Sequence, residues 1–270
     1  RSGSDGAITY DEAYKKHGDT TAIINTTPCG MYPNIGASAI DLSRFENVKS
    51  VTDAVYNPLS SALVISARER GINATGGLYM LVSQAAYAVE KFTGCSISAD
   101  KTEEVYREIL RDKKNIVLIG MPGCGKTTIG KISADRLHKE FIDTDDEIIK
   151  RINIPIAEYF AKHGEESFRK LESEVIKEIS ACRSSVIATG GGAVLNPDNI
   201  RLLKEKGTVI FIDRPLEKLV TTADRPLSSN RELLEKRYKE RYGLYCAAAD
   251  IKIDAVNEIE QNVKNIEEVF

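Results

Sequence analysis

The chain has 270 residues, of which 42% are hydrophobic and 29% are charged, and its formal net charge is -3. This composition is typical of a globular protein with room for two ordinary domains, and it argues against a broadly basic nucleic-acid-binding surface. No apolar run reaches the ~18 residues of a membrane helix. The five cysteines are scattered and lack the spacing of a zinc site or a disulfide framework. We therefore expect a cytoplasmic protein with no nucleic-acid or membrane partner.

The first hundred residues predict short buried strands that alternate with amphipathic helices. Residues 22–27 and 50–56 are predicted to be strands, and residues 60–70 and 77–93 are predicted to be helices because apolar side chains recur at three- and four-residue steps. A polar connector at 96–101 and a charged helix at 102–110 follow. We therefore divide the chain into a first segment, 1–98, a linker, 99–112, and a second domain, 113–270.

A glycine-rich loop follows the apolar strand predicted at residues 115–119. Residues 120–127 read Gly-Met-Pro-Gly-Cys-Gly-Lys-Thr, the G-x-x-x-x-G-K-[ST] pattern of a phosphate-binding loop. Its backbone N–H groups face phosphate oxygens, Lys126 adds a positive charge, and Thr127 offers a hydroxyl ligand to Mg²⁺. The helix predicted next points its N-terminus at the anion. We expect a nucleoside triphosphate to be bound by Gly120, Gly123, Cys124, Gly125, Lys126, Thr127 and Thr128.

Four further strands are predicted after this loop, at 141–143, 185–188, 208–212 and 251–254, with helical patterns between them. Strands and helices that alternate in this way form a parallel sheet covered on both faces. With the strand before the loop, the sheet has five strands. The second domain is therefore predicted to have an α/β fold.

Two acids stand at the end of the strand that follows the phosphate-loop helix. Asp143 and Asp145 lie where open α/β sheets collect ligands. Asp143 is suited to hold Mg²⁺, while Asp145 is suited to accept a hydrogen bond from a substrate hydroxyl, as phosphoryl transfer requires. Asp145 is also a candidate N-cap of the helix that follows, and this role does not exclude the functional one.

Arginines and glycines further along the chain are candidates for binding an acidic substrate. Arg169 lies near the start of a long amphipathic helix, where a solvated side chain or pairing with Glu165 or Glu172 is the alternative. Residues 190–192 are three glycines at a strand's carboxyl end, which allows a ligand to touch the backbone. Arg237 and Arg241 share one helix face, and either is placed to reach a cleft.

Arg225 lies in a polar segment rich in serine that has the composition of a lid. A guanidinium there would act most strongly on the transferring phosphoryl group in the transition state. A solvated loop arginine is the simpler alternative.

These motifs, in this order and spacing, closely resemble those of shikimate kinase over residues 113–270. The resemblance rests on residues 120–127, 141–145, 168–169, 190–192, 225–227 and 241–245. It implies a P-loop kinase fold and transfer of the γ-phosphoryl group of ATP to the 3-hydroxyl of shikimate with Mg²⁺. It further implies Lys126, Asp145 and Arg225 as catalytic residues, Arg225 on the nucleotide, Thr127 and Asp143 on the metal, and Asp145, Arg169, Gly190, Gly191, Gly192 and Arg241 on shikimate.

The first segment resembles the final part of shikimate dehydrogenase. The similarity is carried by residues 24–31, 53–58, 76–84 and 92–94. It implies a partial Rossmann-like α/β segment from a bifunctional parent chain, with the rest of the dehydrogenase preceding it. A G-x-G-x-x-G turn and the dehydrogenase's catalytic lysine and aspartate are absent from the given sequence, so we expect no dehydrogenase activity from this chain alone.

Two alternatives to a shikimate kinase remain at the level of sequence. One is another small-molecule kinase of the same architecture, such as a gluconate kinase. The other is a nucleotide-binding module that has lost catalysis. The pairing of Arg169 and Arg241 with three glycines disfavours the first, and the presence of Lys126, Asp143, Asp145 and Arg225 disfavours the second.

Overall fold

The computed structural model describes residues 6–219, 231–255 and 258–270. The chain divides into two compact units, Arg1–Leu110 and Arg111–Phe270. Among the described residues, no helix is both long enough and apolar enough to cross a membrane.

The first unit is built on a three-stranded parallel sheet in the order β1-β2-β3. Its core includes Leu42, Val51 and Leu63, which are nearly inaccessible to solvent. The elements are α1 (Tyr10–Lys16), β1 (Ala22–Asn25), β2 (Ser50–Asp53), α2 (Ala62–Glu69), β3 (Asn73–Thr75), α3 (Leu78–Thr93) and α4 (Ala99–Lys113), the last of which runs across the boundary of the unit.

Several details of the first unit differ from the prediction: α1 was not predicted, and β1 and β2 end earlier than expected, at Asn25 and Asp53. The sequence did not predict β3, because its three residues are half-buried or exposed and contain no apolar run. The helix predicted at 102–110 begins earlier, at Ala99, and the polar residues before it do not form a separate connector of the expected length.

The second unit contains a five-stranded parallel sheet in the order β5-β6-β4-β7-β8. The predicted α/β fold is confirmed. The elements are β4 (Asn115–Ile119), α5 (Lys126–Arg136), β5 (Glu140–Asp143), α6 (Thr144–Ile152), α7 (Ile156–Ile179), β6 (Ser185–Ala188), α8 (Pro197–Lys204), β7 (Gly207–Asp213), α9 (Arg231–Ala248), β8 (Ile251–Asp254) and α10 (Ile259–Val269).

The sheet register brings the ends of the central strands to one edge. Leu118 of β4 is paired with Ala188 of β6 and with Ile210 of β7, and Asp143 at the end of β5 is opposite Ala188. Because all strands are parallel, the segments that follow β4, β5 and β6 emerge together. This edge is where the phosphate loop, the two acids and the glycine turn meet.

β4 is the central strand of the five-stranded sheet and has neighbours on both sides. Every residue of β4 is buried, and β7 is buried over six of its seven residues, so both strands require continuous apolar sequence. The phosphate loop therefore follows directly from the central strand, which is buried along its whole length.

Candidate active site

The phosphate loop turns from β4 directly into α5. Gly123 and Gly125 have φ angles of 80° and 101°, which side chains with a Cβ rarely adopt, and Gly125 is the N-cap of α5. The Lys126 ammonium donates hydrogen bonds to the carbonyl oxygens of Gly120 and Met121, at 2.8 and 3.0 Å, and its side chain is buried. A positive charge and a helix N-terminus are thus held at one loop.

Thr127 and Asp143 meet at the mouth of this loop. The Thr127 hydroxyl donates a 2.8 Å hydrogen bond to one Asp143 carboxylate oxygen. The other oxygen accepts from the backbone N–H of Asp145, which makes Asp143 the N-cap of α6. Asp145 is therefore not the cap that the sequence allowed it to be, and it lies in the first turn of the helix instead.

Gly190, in the turn after β6, lies against the start of α6. Its N–H donates a 2.8 Å hydrogen bond to the hydroxyl of Thr144, which is fully buried. A Cβ added at Gly190 would lie 2.8 Å from an Asp145 carboxylate oxygen and 2.9 Å from one of Glu172. A side chain at this position would have to displace these two carboxylates, and Asp145 is therefore positioned at the turn.

The next two glycines place the turn between the phosphate loop and Arg169. A Cβ at Gly191 would lie 2.8 Å from Cδ of Pro122, a residue of the phosphate loop. A Cβ at Gly192 would overlap the Arg169 guanidinium. The three glycines are explained by close approach of three different groups, which a simple tight turn would not require.

Arg169 is paired with acids of its own helix, as the simpler alternative predicted. It donates to Glu172 at 2.7 Å and to Glu165 at 3.1 Å. Burial lowers the pKa of Arg169, but the two carboxylates outweigh it and the net direction is upward. Its Nε is buried without a hydrogen-bond partner among the described residues. The pairing therefore leaves one donor for another acceptor.

Arg241 is fixed from the opposite side by α9. It is 7% exposed and donates a 3.0 Å hydrogen bond to the carbonyl oxygen of Gly191, which also accepts a 2.6 Å bond from the hydroxyl of Tyr245. The two residues are four apart and share a helix face. Gly191 is thus in contact with the phosphate loop on one side and with Arg241 on the other.

Glu172 is an acid enclosed by this cluster. Its side chain is 2% exposed, and burial raises the pKa of its carboxyl group. The charges of Arg169 and Arg241 lower that pKa, whereas the charge of Asp145 raises it. The electrostatic interactions therefore join both arginines and both acids in one site.

Sequence reasoning missed Arg214, which follows β7 at the same edge. A Cβ at Gly125 would lie 3.8 Å from its Nη1, so its guanidinium is beside the phosphate loop. Its Nε is buried with no hydrogen-bond partner in the part of the chain that the structure describes. A cation directly after a strand's carboxyl end was the signal that would have found it.

The remaining candidates divide into two groups. Gly120, Gly123, Cys124 and Gly125 belong to the loop, and Thr128 is exposed on the first turn of α5. Arg225 lies outside the described residues, as does the rest of the predicted lid, 224–227. Over 6–219, 231–255 and 258–270, no group of three or more His, Cys, Asp or Glu side chains is arranged as a metal site.

Comparisons with known proteins identify the second unit. The family profile described as shikimate kinase matches residues 122–270. The shikimate kinase of Clostridium botulinum (strain Eklund 17B / Type B) is 45% identical over 161 residues, which cover 57% of this chain and 97% of that protein.

Two solved structures are similar to parts of this chain, and the first of them adds to this finding. A shikimate kinase from Acinetobacter baumannii, in complex with shikimate, matches with a TM-score of 0.57 and 32% identity over 60% of this chain and 95% of that chain. A chorismate mutase/shikimate 5-dehydrogenase fusion protein from Clostridium acetobutylicum matches with a TM-score of 0.36 and 39% identity over 38% of this chain and 37% of that chain. The family profile and the near-complete coverage of the known kinases agree with the phosphate loop, the glycine turn and the arginines described above. The chain belongs to the shikimate kinase family.

Proposed function

We propose that this chain transfers the γ-phosphoryl group of ATP to the 3-hydroxyl of shikimate, giving shikimate 3-phosphate and ADP. One observation carries the proposal: Gly191 packs against Pro122 of the phosphate loop while its carbonyl accepts from Arg241. The phosphate loop, which would bind the triphosphate, and the Arg241 guanidinium, which would bind a carboxylate, therefore both contact Gly191. Phosphoryl transfer needs this proximity, since its catalysis is largely positioning and charge stabilisation.

Lys126 and the loop amides bind the phosphates in this proposal. The Lys126 ammonium already lies over its own loop, so its charge faces the place where the β- and γ-phosphates would be held. Arg225 is proposed to add charge to the transferring group from the lid. Arg214, whose guanidinium is beside Gly125, is proposed as a further contact to the nucleotide.

Thr127 and Asp143 fit a Mg²⁺ ion. Their hydroxyl and carboxylate oxygens are 2.8 Å apart at the loop, and oxygen donors are the ligands that Mg²⁺ prefers. One carboxylate and one hydroxyl are enough when phosphates and water complete the coordination. When bound, the ion would neutralise charge that develops on the phosphates.

Asp145 is the proposed acceptor of the proton from the 3-hydroxyl. Asp143 is the residue that caps α6, which leaves the Asp145 carboxylate beside Gly190 at the turn. A carboxylate within hydrogen-bond reach of an attacking hydroxyl orients it and accepts its proton as the oxygen bonds to phosphorus.

Arg169 and Arg241 are proposed to bind the carboxylate of shikimate. Arg169 retains a buried Nε without a partner among the described residues, and Arg241 is held at Gly191 by a hydrogen bond that uses only one of its nitrogens. Shikimate offers hydroxyl groups and a carboxylate with little apolar surface. Charge pairing with planar guanidinium groups therefore fixes its orientation for in-line attack.

For the first unit, we propose a segment related to the C-terminal part of shikimate dehydrogenase. The sequence motifs support this proposal, and a parallel sheet of three strands, with α2 between β2 and β3, is compatible with it. We propose the chain organisation 1–98, 99–112 and 113–270 on the same grounds.

A coupled assay of ADP release by the full chain tests the proposed reaction. We expect release that depends on shikimate, with little or none when gluconate replaces it. Turnover of gluconate at a comparable kcat/KM would favour another small-molecule kinase. ATP binding without turnover of either compound would favour the inactive nucleotide-binding module.

A further inference from the structure

Arg237 lies on the face of α9 that looks toward the substrate site. Arg237, Arg241 and Tyr245 are spaced by four residues, so their side chains lie one above the other on one face of the helix. Arg241 and Tyr245 both donate to Gly191, which fixes the direction of that face. Arg237 is therefore one helical turn from a residue that touches the glycine turn.

The charges around Arg237 are those of the same site. Burial lowers the pKa of its guanidinium, and the positive charges of Arg241 and Arg169 lower it further. Glu165 and Glu240 act in the opposite direction. Arg237 thus interacts with side chains of both helices that carry the proposed carboxylate-binding arginines.

One nitrogen of Arg237 has no acceptor. Its Nη1 is buried, with no hydrogen-bond partner among the described residues, in the same way as Nε of Arg169. Two buried guanidinium donors without acceptors are costly, because each loses its hydrogen bonds to water. A small anion that accepts from both would remove this cost and would also reduce the repulsion among three positive charges.

We infer that Arg237 is a third substrate-binding arginine, whose unpaired Nη1 donates to the carboxylate of shikimate. This inference rests on the proposed function and adds to it a residue that determines specificity for an acidic substrate. A neutral analogue with the same ring and hydroxyl groups has no acceptor of equal strength. Arg237 therefore discriminates between shikimate and its uncharged derivatives.

The test compares shikimate with its methyl ester, which keeps the hydroxyl groups but lacks the negative charge. For Arg237→Met in the full chain, we expect the calorimetric Kd for shikimate and its KM to rise about ten-fold or more, because a hydrogen bond between charged groups is lost. The KM for ATP should change less than about two-fold, and so should the Kd for the ester. Lys236→Met, on the exposed side of the same helix, is the control for net charge and should behave like the unmodified chain.

A purely structural role for Arg237 would weaken shikimate and ester alike, and this outcome would overturn the inference. An unchanged Kd for shikimate would do the same while leaving the proposed function intact. If the unmodified chain itself fails to phosphorylate shikimate, the proposed function and the inference fail together. Arg237→Gln, which keeps a polar side chain, provides a second variant if the methionine variant does not fold, and the same selective loss is expected for it.

Discussion

Thr127 donates a 2.8 Å hydrogen bond to Asp143 across the mouth of the phosphate loop. The two oxygens come from different elements, since Thr127 lies in the first turn of α5, which follows β4, and Asp143 ends β5. Their proximity is a consequence of the parallel register, which aligns the ends of neighbouring strands. A hydroxyl and a carboxylate held in this way would supply two of the six oxygen ligands that the proposed Mg²⁺ ion takes.

The Thr127–Asp143 pair predicts a specific dependence on Mg²⁺. Thr127→Ala should raise the Mg²⁺ concentration for half-maximal activity by about ten-fold or more, because one oxygen ligand is lost. Thr127→Ser keeps the hydroxyl and should stay within about three-fold of the unmodified chain. The measurement is a titration of Mg²⁺ at fixed ATP. Equal Mg²⁺ requirements in all three proteins would remove Thr127 from the metal site.

Asp145→Asn should lower kcat by about 10² to 10⁴ with a smaller effect on the KM for ATP, since the proposed proton acceptor is lost but the phosphate loop is not touched. Asp146→Asn is a matched control, because Asp146 lies in the same first turn of α6 and is exposed. Both changes remove one negative charge from the helix N-terminus. Steady-state kinetics of the two variants should therefore separate the proposed catalytic role from the loss of charge at the helix N-terminus, and similar losses in both would refute the assignment.

Lys126→Ala should lower kcat by about 10² to 10³, because it removes a charge directed at the phosphates. Lys131→Ala on the same helix is the control, as Lys131 is exposed and lies over the Phe141 ring rather than the loop. Turnover should be measured at saturating ATP, so that weaker nucleotide binding does not hide the effect on chemistry. An active Lys126→Ala variant would contradict the proposed role of the loop.

Glu205 predicts a pH dependence of stability that is separate from catalysis. Its side chain is 5% exposed, and burial raises the pKa of its carboxyl group to about 7, against the smaller opposing effect of Lys206. The raised pKa means that its favourable contribution is complete below about pH 4.5 and is lost as the pH rises through about 7. Glu205 is also the C-cap of α8, where the helix dipole disfavours a negative charge and so acts in the same direction as burial.

Glu205→Gln should therefore stabilise the second unit by about 2 kcal/mol at pH 8 and leave its stability nearly unchanged at pH 4. Urea unfolding at the two pH values measures the difference. Glu268→Gln replaces an exposed carboxylate and should show no such gain at pH 8. A stabilisation by Glu205→Gln that is equal at both pH values would show that titration of Glu205 is not its cause.

The elements of the second unit were predictable because each has a strong local signal. β4 and β7 each contain a continuous apolar run, 116–119 and 209–212, and the glycines of the phosphate loop follow a fixed spacing with a lysine and a threonine. The pattern also placed Asp143 and Asp145 at the edge of the sheet. The fold and the location of the site therefore follow from residues that are close in the chain.

Contacts between distant residues were not predictable in the same way. The sequence analysis named Asp145 as the candidate helix cap, whereas the cap is Asp143, because both are good capping residues and the end of β5 decides which one takes the position. It also could not show that Arg214 comes beside Gly125, or that a nitrogen of Arg237 is left without an acceptor among the described residues. Those facts depend on the packing of helices and loops that lie far apart in sequence.

Arg169 and Arg241 are proposed to bind the carboxylate of one shikimate molecule beside the phosphate loop. The decisive experiment is a crystal structure of the full chain with shikimate and ADP. We predict the carboxylate within hydrogen-bond distance of both guanidinium groups, with the 3-hydroxyl directed at Asp145 and the loop. Shikimate bound elsewhere, or with both guanidinium groups turned away from it, would contradict the account.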